Sequence, residues 1–227
     1  MLEQLLPREV ACVEASRDDG SCRLHPDEAA LIVGRSQKRQ REFATARACA
    51  RRAMGKLGLP KGPILRGPSR EPLWPSGVVG SITHCHWYRA AAVATKVDVV
   101  TLGIDAEVHE KLPADIYQKV ILPQEEAWLA NTPEGVYWDR LIFSAKESVY
   151  KAWFPLTREW LGFDDVEVMF RPEEGTFHAR FLVEPLRVAD ESIISGFKGR
   201  FLVRDSLALT AVALTTGPQG SLRRIQC

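Results

Sequence analysis

The sequence predicts an α+β protein made of two small units. Helical patterns and short strand-like runs recur in both halves of the chain, which suggests two such units rather than one layered domain. The length of 227 residues suits one large domain or two of roughly 100 residues each. Hydrophobic residues at 45% and charged residues at 26% fit a globular chain with a sizeable core.

The elements follow in chain order. Residues 1–34 are mixed, punctuated by turn signals at Asp18-Asp19-Gly20 and His25-Pro26-Asp27. A helix is predicted from Arg35 to Leu57, closed by Gly58 and Pro60. Its apolar stripe is Phe43, Ala46, Ala50, Met54 and Leu57, at 3- and 4-residue spacing. At about 100° per residue, Lys38, Arg41, Arg52 and Lys56 fall on the far side, whereas Arg39 and Arg47 fall within the stripe. A guanidinium facing inward needs an anionic or hydrogen-bonding partner. A structural carboxylate and an anionic ligand both satisfy that requirement.

Lys61 to Gly80 reads as an ordered loop, because Ile64, Leu65, Trp74 and Val78 give it apolar surface to bury. Tyr88–Thr95 and Val97–Ile104 read as a hairpin turning near Lys96. A second helix is predicted from Trp138 to Phe154, and Val166–Phe170, Phe177–Val183 and Arg200–Leu214 are strand-like. Thr216–Cys227 reads as a tail.

Composition excludes several function classes. A net charge of +1 and no recognised module speak against nucleic-acid binding. No apolar stretch is long enough to cross a bilayer, and no basic segment followed by an apolar run marks a secretory leader. Five cysteines, an odd number without CxxC spacing, fit a reducing compartment, so a cytoplasmic enzyme or binding protein is expected. His84-Cys85-His86 offers no metal site, since three adjacent positions cannot all face one ion. Charge is nevertheless uneven: Arg35 to Lys56 is basic and Asp105 to Glu126 acid-rich.

Three short pieces carry chemistry. Asp105 and Glu107 follow the apolar run Val99–Ile104; if the strand continues, both point to one side, about 7 Å apart. Such a pair is either solvated or cation-bound, and hard oxygen ligands beside phosphate favour Mg²⁺. On the second helix, Glu147 and Lys151 stand one turn apart, opposite the broad face of Leu141, Ile142, Ala145, Val149 and Ala152. An ordinary i,i+4 surface pair is one reading; the flanking Phe143, Tyr150 and Phe154, which make the helix apolar on both sides, favour a sandwiched helix with the pair in a cleft. Metal ligation plus acid–base work suits a carboxylate placed there. The third piece, Gly80-Ser81-Ile82-Thr83-His84, offers hydroxyls, backbone amides and an imidazole of the kind that cradle phosphate.

These pieces, in this order, resemble the Sfp/EntD-type 4′-phosphopantetheinyl transferases, particularly the actinobacterial kind. The motifs are Gly80-Ser81-Ile82-Thr83-His84-Cys85, Gly103-Ile104-Asp105-Ala106-Glu107, and Trp138-Asp139-Arg140 leading into Phe143-Ser144-Ala145-Lys146-Glu147-Ser148-Val149-Tyr150-Lys151-Ala152-Trp153. The likeness runs from about Ala29 to Leu214. It implies a pseudo-two-fold pair of similar α+β subdomains (1–102 and 103–227), each with a small, mostly antiparallel sheet packed on helices. Coenzyme A and Mg²⁺, replaceable by Mn²⁺, would lie between them. Phosphopantetheine would move from CoA to a serine of an acyl-, peptidyl- or aryl-carrier protein, releasing 3′,5′-ADP. By motif, Asp105, Glu107 and Glu147 would ligate the metal. Ser81, Thr83, His84, Lys146 and Lys151 would contact CoA phosphates, and Arg39, Arg47 and Arg66 the 3′-phosphate side. Arg66 stands where relatives often have Lys, which keeps the charge and changes the contact geometry. Glu147 would take the serine proton, Lys151 would assist the leaving phosphate, and Asp105 would complete the catalytic set. A monomer is expected, since two halves of one chain build the cleft, and Leu112–Leu122 with the exposed side of the second helix would be the carrier-docking candidates. The alternatives are an Mg²⁺-dependent phosphohydrolase, which needs neither carrier nor 3′-phosphate arginines, and a non-catalytic CoA-binding protein.

Overall fold

A computed structural model describes residues 1–187 and 193–216. The expected tail beyond Thr216 lies outside the described residues. A 3₁₀ turn (Leu2–Leu5) precedes β1 (Ala11–Ala15), α1 (Pro26–Ala30) and the long helix α2 (Gln37–Lys56). Ser36 caps α2 by accepting the Arg39 N–H at 3.3 Å, and Gly58, at φ +67°, follows its end. The Pro-rich loop pairs β2 (Leu65–Arg66) with β3 (Pro72–Leu73), then β4 (Val78–Cys85), β5 (Tyr88–Thr95) and β6 (Val99–Val108) follow. After α3 (Ala114–Val120), α4 (Pro123–Leu129) and α5 (Trp138–Thr157) come β7 (Val166–Arg171) and β8 (Thr176–Phe181). The short strands β9 (Leu186–Arg187) and β10 (Ile193–Ile194) pair with each other, and β11 (Gly196–Arg204) and β12 (Leu207–Thr215) complete the chain's ladder.

Two antiparallel sheets result, ordered β1-β5-β4 and β6-β12-β11-β8-β7. Helix α2 covers the first sheet and α5 the second. This is the α+β architecture expected, but β5 and β6 are not a hairpin. β5 pairs with β1 and β4, whereas β6 is drawn to β12 from Val99 to Val108, so the turn after Thr95 links two sheets. A division between 102 and 103 therefore falls inside β6, and residues 99–102 go with the second sheet. The expected single strand Arg200–Leu214 is a hairpin instead. Asp205 and Ser206 both take positive φ (51° and 60°), the signature of a tight two-residue turn.

Side-chain size explains how closely the layers meet. β5 alternates small residues: Ala91 and Val93 pack under α2, while Ala90, Ala92 and Ala94 face a core shared by both halves. That shared core includes Leu2, Leu5 and Leu6 from the N-terminus and Leu102, Ile104, Ala106, Leu207 and Leu209 from the second sheet. Beyond it, Trp138, Phe170, Phe177 and Phe197 join the α5 face in a second-half core.

Candidate active site between the two sheets

β6 sorts its residues by the two-residue period of a strand. Leu102, Ile104 and Ala106 enter the shared core, whereas Thr101, Gly103, Asp105 and Glu107 face α5. The Thr101 hydroxyl donates to Ala152 O at 2.7 Å, and a Cβ at Gly103 would lie 1.9 Å from Ser148 O. Only glycine lets the helix backbone come this near. The approach brings the Lys151 ammonium to Asp105 Oδ1 (2.7 Å) and to Ile104 O (3.2 Å). Further along β6, Arg140 donates to Glu107 Oε2 at 3.2 Å and to the carbonyls of Glu110 and Lys111.

Electrostatics mark this cluster as cation-hungry. Burial pushes the Glu107 carboxyl up to about 7, and Asp105 pushes it further the same way. Burial likewise raises Glu147, against the pull of Lys151. For Lys151 burial opposes the charge, but Asp105 and Glu147 outweigh it, so the ammonium is held above its usual range. Asp105 Oδ2 is buried without a hydrogen-bond partner, an arrangement that costs free energy unless something positive meets it. Among the described residues, no group of three or more carboxylate, imidazole or thiol side chains is placed to hold a metal ion. Asp105, Glu107 and Glu147 match a hard cation in donor type only, and the orphaned Asp105 oxygen is the one buried atom of the three that lacks a hydrogen-bond partner.

The structure separates the expected phosphate contacts into two groups. Arg39, Arg47, Arg66 and His84 gather on the first half. Arg39 Nη1 lies 2.6 Å from His84 Nε2 and 3.2 Å from Glu42. Since guanidinium only donates, His84 Nε2 accepts here and the ring is neutral. Burial and Arg39 agree with that by pushing its pKa down. Arg47 is buried, donates to Ile64 O at 2.9 Å and stacks over Phe43 at 4.2 Å. Burial, and the nearby Arg51, Arg39 and Arg66, depress its pKa to about 10 despite the pull of Glu28. Like charges held together in this way are relieved by an anion.

Three expected contacts point elsewhere. The Ser81 and Thr83 hydroxyls accept the backbone N–H groups of Ile104 and Ala106 at 3.1 Å each, and Thr83 also donates to Asp105 Oδ1. They tie β4 to β6 across the junction of the two sheets. Lys146 is buried away from the cleft, donating to Glu125 (2.8 Å), Val120 O (2.7 Å) and Phe163 O (2.9 Å). All three of its protons are used, so none is left for a phosphate. Glu125, Arg140, Glu42 and Arg89 also shape the site, and of these only Arg140, inside the third motif, carries a local signal in the sequence.

Beside Glu147 and Lys151 opens a cavity of about 670 Å³, a size typical of small-molecule sites. Trp74, Val78 and Ile82 line it from the first half, and Leu102, Tyr150 and Phe154 from the second. Gly80 makes room for its wall, since a Cβ there would lie 2.5 Å from the Trp74 ring. No helix among the described residues is long and apolar enough to cross a membrane.

Comparison with known proteins agrees with this layout. Residues 27–94 match the 4′-phosphopantetheinyl transferase N-terminal domain, and residues 101–203 match the 4′-phosphopantetheinyl transferase superfamily. The chain is 47% identical to the 4′-phosphopantetheinyl transferase Svp of Streptomyces mobaraensis, over 97% of this chain and 92% of that protein. It is 43% identical to Npt of Nocardia iowensis (94% and 99% covered) and 45% identical to PptT of Mycobacterium tuberculosis (83% and 85%), both 4′-phosphopantetheinyl transferases. With the two matched regions falling on the two sheet-and-helix halves, and relatives this similar along nearly the whole length, the chain belongs to the 4′-phosphopantetheinyl transferase superfamily.

Proposed function

We propose that the chain transfers the 4′-phosphopantetheine arm of coenzyme A to a serine of an apo acyl-, peptidyl- or aryl-carrier protein, with Asp105, Glu107 and Glu147 holding Mg²⁺. The observation that carries this reading is that Glu147 and Lys151 belong both to the carboxylate cluster and to the wall of an apolar cavity, while His84, paired with Arg39 of the arginine cluster, feels the charge of Lys151. A phosphohydrolase would use the carboxylates alone. Here the cavity suits an extended arm whose gem-dimethyl and methylene groups meet its apolar wall, and Arg39, Arg47 and Arg66 suit a phosphomonoester set apart from the pyrophosphate.

A bound Mg²⁺ would neutralise pyrophosphate charge and make the phosphorus easier to attack. The side chains divide the remaining work. Glu147, with its raised pKa, accepts the serine proton as the hydroxyl oxygen bonds to the phosphorus of the arm. The bond from that phosphorus to the bridging oxygen breaks, and 3′,5′-ADP leaves. Lys151, held cationic by Asp105, faces the charge that develops on the leaving phosphate. Arg140 steadies Glu107, and the arginine cluster fixes the nucleotide end. The unpaired thiols of Cys12, Cys22, Cys49 and Cys85 suit a cytoplasmic setting, and a monomer suffices because both walls of the cleft come from one chain.

The test combines the protein, CoA, Mg²⁺ and an apo-carrier protein and weighs the carrier by mass spectrometry. A phosphopantetheine mass gain matched by released 3′,5′-ADP is expected. No gain with several carriers would sink the transferase reading, and a fully active Glu147→Gln variant would sink the assignment of the base.

A further inference from the structure

Arg39 has one carboxylate partner, and that partner is itself anchored. Glu42 is the single acidic residue of α2, against seven basic ones. Its Oε2 accepts from Arg39 at 3.2 Å, while its Oε1 lies 3.3 Å from Arg89 Nη2. Arg89 is 1% exposed. Its Nη1 donates to the carbonyls of Cys85 (3.1 Å), His86 (2.8 Å) and Tyr88 (2.9 Å), and Asp18 accepts from Nη2 at 3.1 Å. Those carbonyls belong to the β4–β5 turn directly after His84, and His84 is the register partner of Arg89 across the ladder. His86 in that turn takes φ +34°, a left-handed conformation that a non-glycine residue holds only under constraint.

One buried guanidinium therefore fixes both halves of the Arg39–His84 pair: His84 through the turn, and Arg39 through Glu42. Without Glu42, the Arg39 side chain, 40% exposed and repelled by the neighbouring arginines, would turn toward water. We propose that Glu42, braced by Arg89, is a positioning residue that aims Arg39 at the 3′-phosphate of coenzyme A and so sets the preference for CoA over 3′-dephospho-CoA. This rests on the placement of the 3′-phosphate at the arginine cluster. Glu42 is assigned no contact with substrate, since both its carboxylate oxygens are turned to arginines. Its carboxylate acts by holding a donor in place before the ligand arrives, which saves the ordering cost of a long side chain on binding.

The test measures binding of CoA and of 3′-dephospho-CoA by titration calorimetry for wild type, Glu42→Gln, Arg39→Ala and the double variant. Glu42→Gln keeps the side-chain shape and leaves Arg89 its Asp18 and carbonyl partners. It is expected to weaken CoA roughly tenfold, as for loss of a charged hydrogen bond, and to leave 3′-dephospho-CoA unchanged. On the Arg39→Ala background, the same substitution should change neither ligand. An equal loss for both ligands in Glu42→Gln, or an undiminished loss on the Arg39→Ala background, would overturn the positioning role. A wild type that binds both ligands equally would overturn the role together with the 3′-phosphate placement. Neither outcome touches the mass-gain test, which judges transferase activity separately. Should Glu42→Gln melt early, Glu42→Asp, which keeps the charge and pulls it back by one methylene, should show a smaller loss confined to CoA.

Discussion

Gly103→Ala is the sharpest mechanical test of the site, because the clash it creates is entirely with backbone. The added Cβ would lie 1.9 Å from Ser148 O, 2.9 Å from Ala152 N and 3.0 Å from Ser148 C. No rotamer change relieves contacts with a helix backbone, so α5 must retreat from β6 by on the order of 1 Å to regain van der Waals distance. Two short hydrogen bonds span the same gap, Thr101 Oγ1 to Ala152 O and Lys151 Nζ to Asp105 Oδ1, both 2.7 Å. A retreat of that size stretches them to the edge of hydrogen-bond range. Overpacking of this kind costs about 1–3 kcal/mol. The catalytic cost is larger, since a misplacement of about 1 Å can lower a rate about 10²-fold.

Urea unfolding followed by tryptophan fluorescence supplies the stability change, and the rate of phosphopantetheine mass gain supplies the activity. Gly103→Ala should lower the unfolding midpoint with little change in slope and should cost more in kcat than in CoA affinity. Gly20→Ala is the control: nothing lies within 4 Å of its Cβ position and no positive φ is involved, so both measures should match wild type. If Gly103→Ala kept full activity and an unchanged midpoint, the close contact between α5 and β6 could not be what places Lys151 and Glu147 against Asp105.

Two further outcomes follow from charge placement. Lys146→Met should destabilise the fold by about 3–5 kcal/mol, because Glu125 is left buried without its cation, and Lys146→Met with Glu125→Gln should recover part of the loss. If Lys146 instead served CoA, chemical denaturation would show little change and the KM for CoA would rise. His84 titrates below its ordinary range in the folded protein, so the unfolded chain binds its proton more readily. Its contribution to stability is therefore present above about pH 6.5 and falls as pH drops below that value toward the depressed folded pKa. A His84→Gln variant should have a flatter midpoint-versus-pH curve across that window; an unchanged slope would show that His84 is not a titrating group there.

What the sequence could show depended on how far apart the interacting residues lie. Helical counting alone placed Arg47 inward, though Arg39, expected in the same stripe, keeps 40% of its side chain exposed; the strand period alone put Asp105 and Glu107 on one side, because both rules act within one element. The same period put Ser81 and Thr83 on a common face but could not tell what faces them. Their partners, the Ile104 and Ala106 amides, belong to a strand of the other sheet. Lys146 was misplaced for a related reason. Its neighbour Glu147 points to the cleft, and one helical step of about 100° takes Lys146 toward Glu125, 21 residues earlier in the chain. The β5–β6 hairpin failed because a short turn between two apolar runs is ambiguous until the pairing of β6 with β12 is known.

Those errors share a physical origin that also explains how the cleft is built. Groups that a sequence motif reads as ligand contacts instead hold the fold together, Ser81 and Thr83 between the two halves and Lys146 within the second. Ser81 and Thr83 supply the acceptors that β6 amides would otherwise lack at the junction, and Lys146 pins α4 and the approach to β7 onto α5 through Glu125, which also accepts the Val168 N–H. Buried amides and carboxylates left without such partners would each cost a few kcal/mol. Electrostatic tension is left at the cleft, in Asp105 Oδ2, in the raised carboxyls of Glu107 and Glu147, and in the mutually repelling arginines around Arg47. Three carboxylates there face two cations, Lys151 and Arg140, and Arg39, Arg47, Arg51 and Arg66 face two carboxylates, Glu28 and Glu42. Under the proposed function a magnesium–coenzyme A complex would bring both a cation and an anion to these groups, and so would relieve both excesses with one ligand.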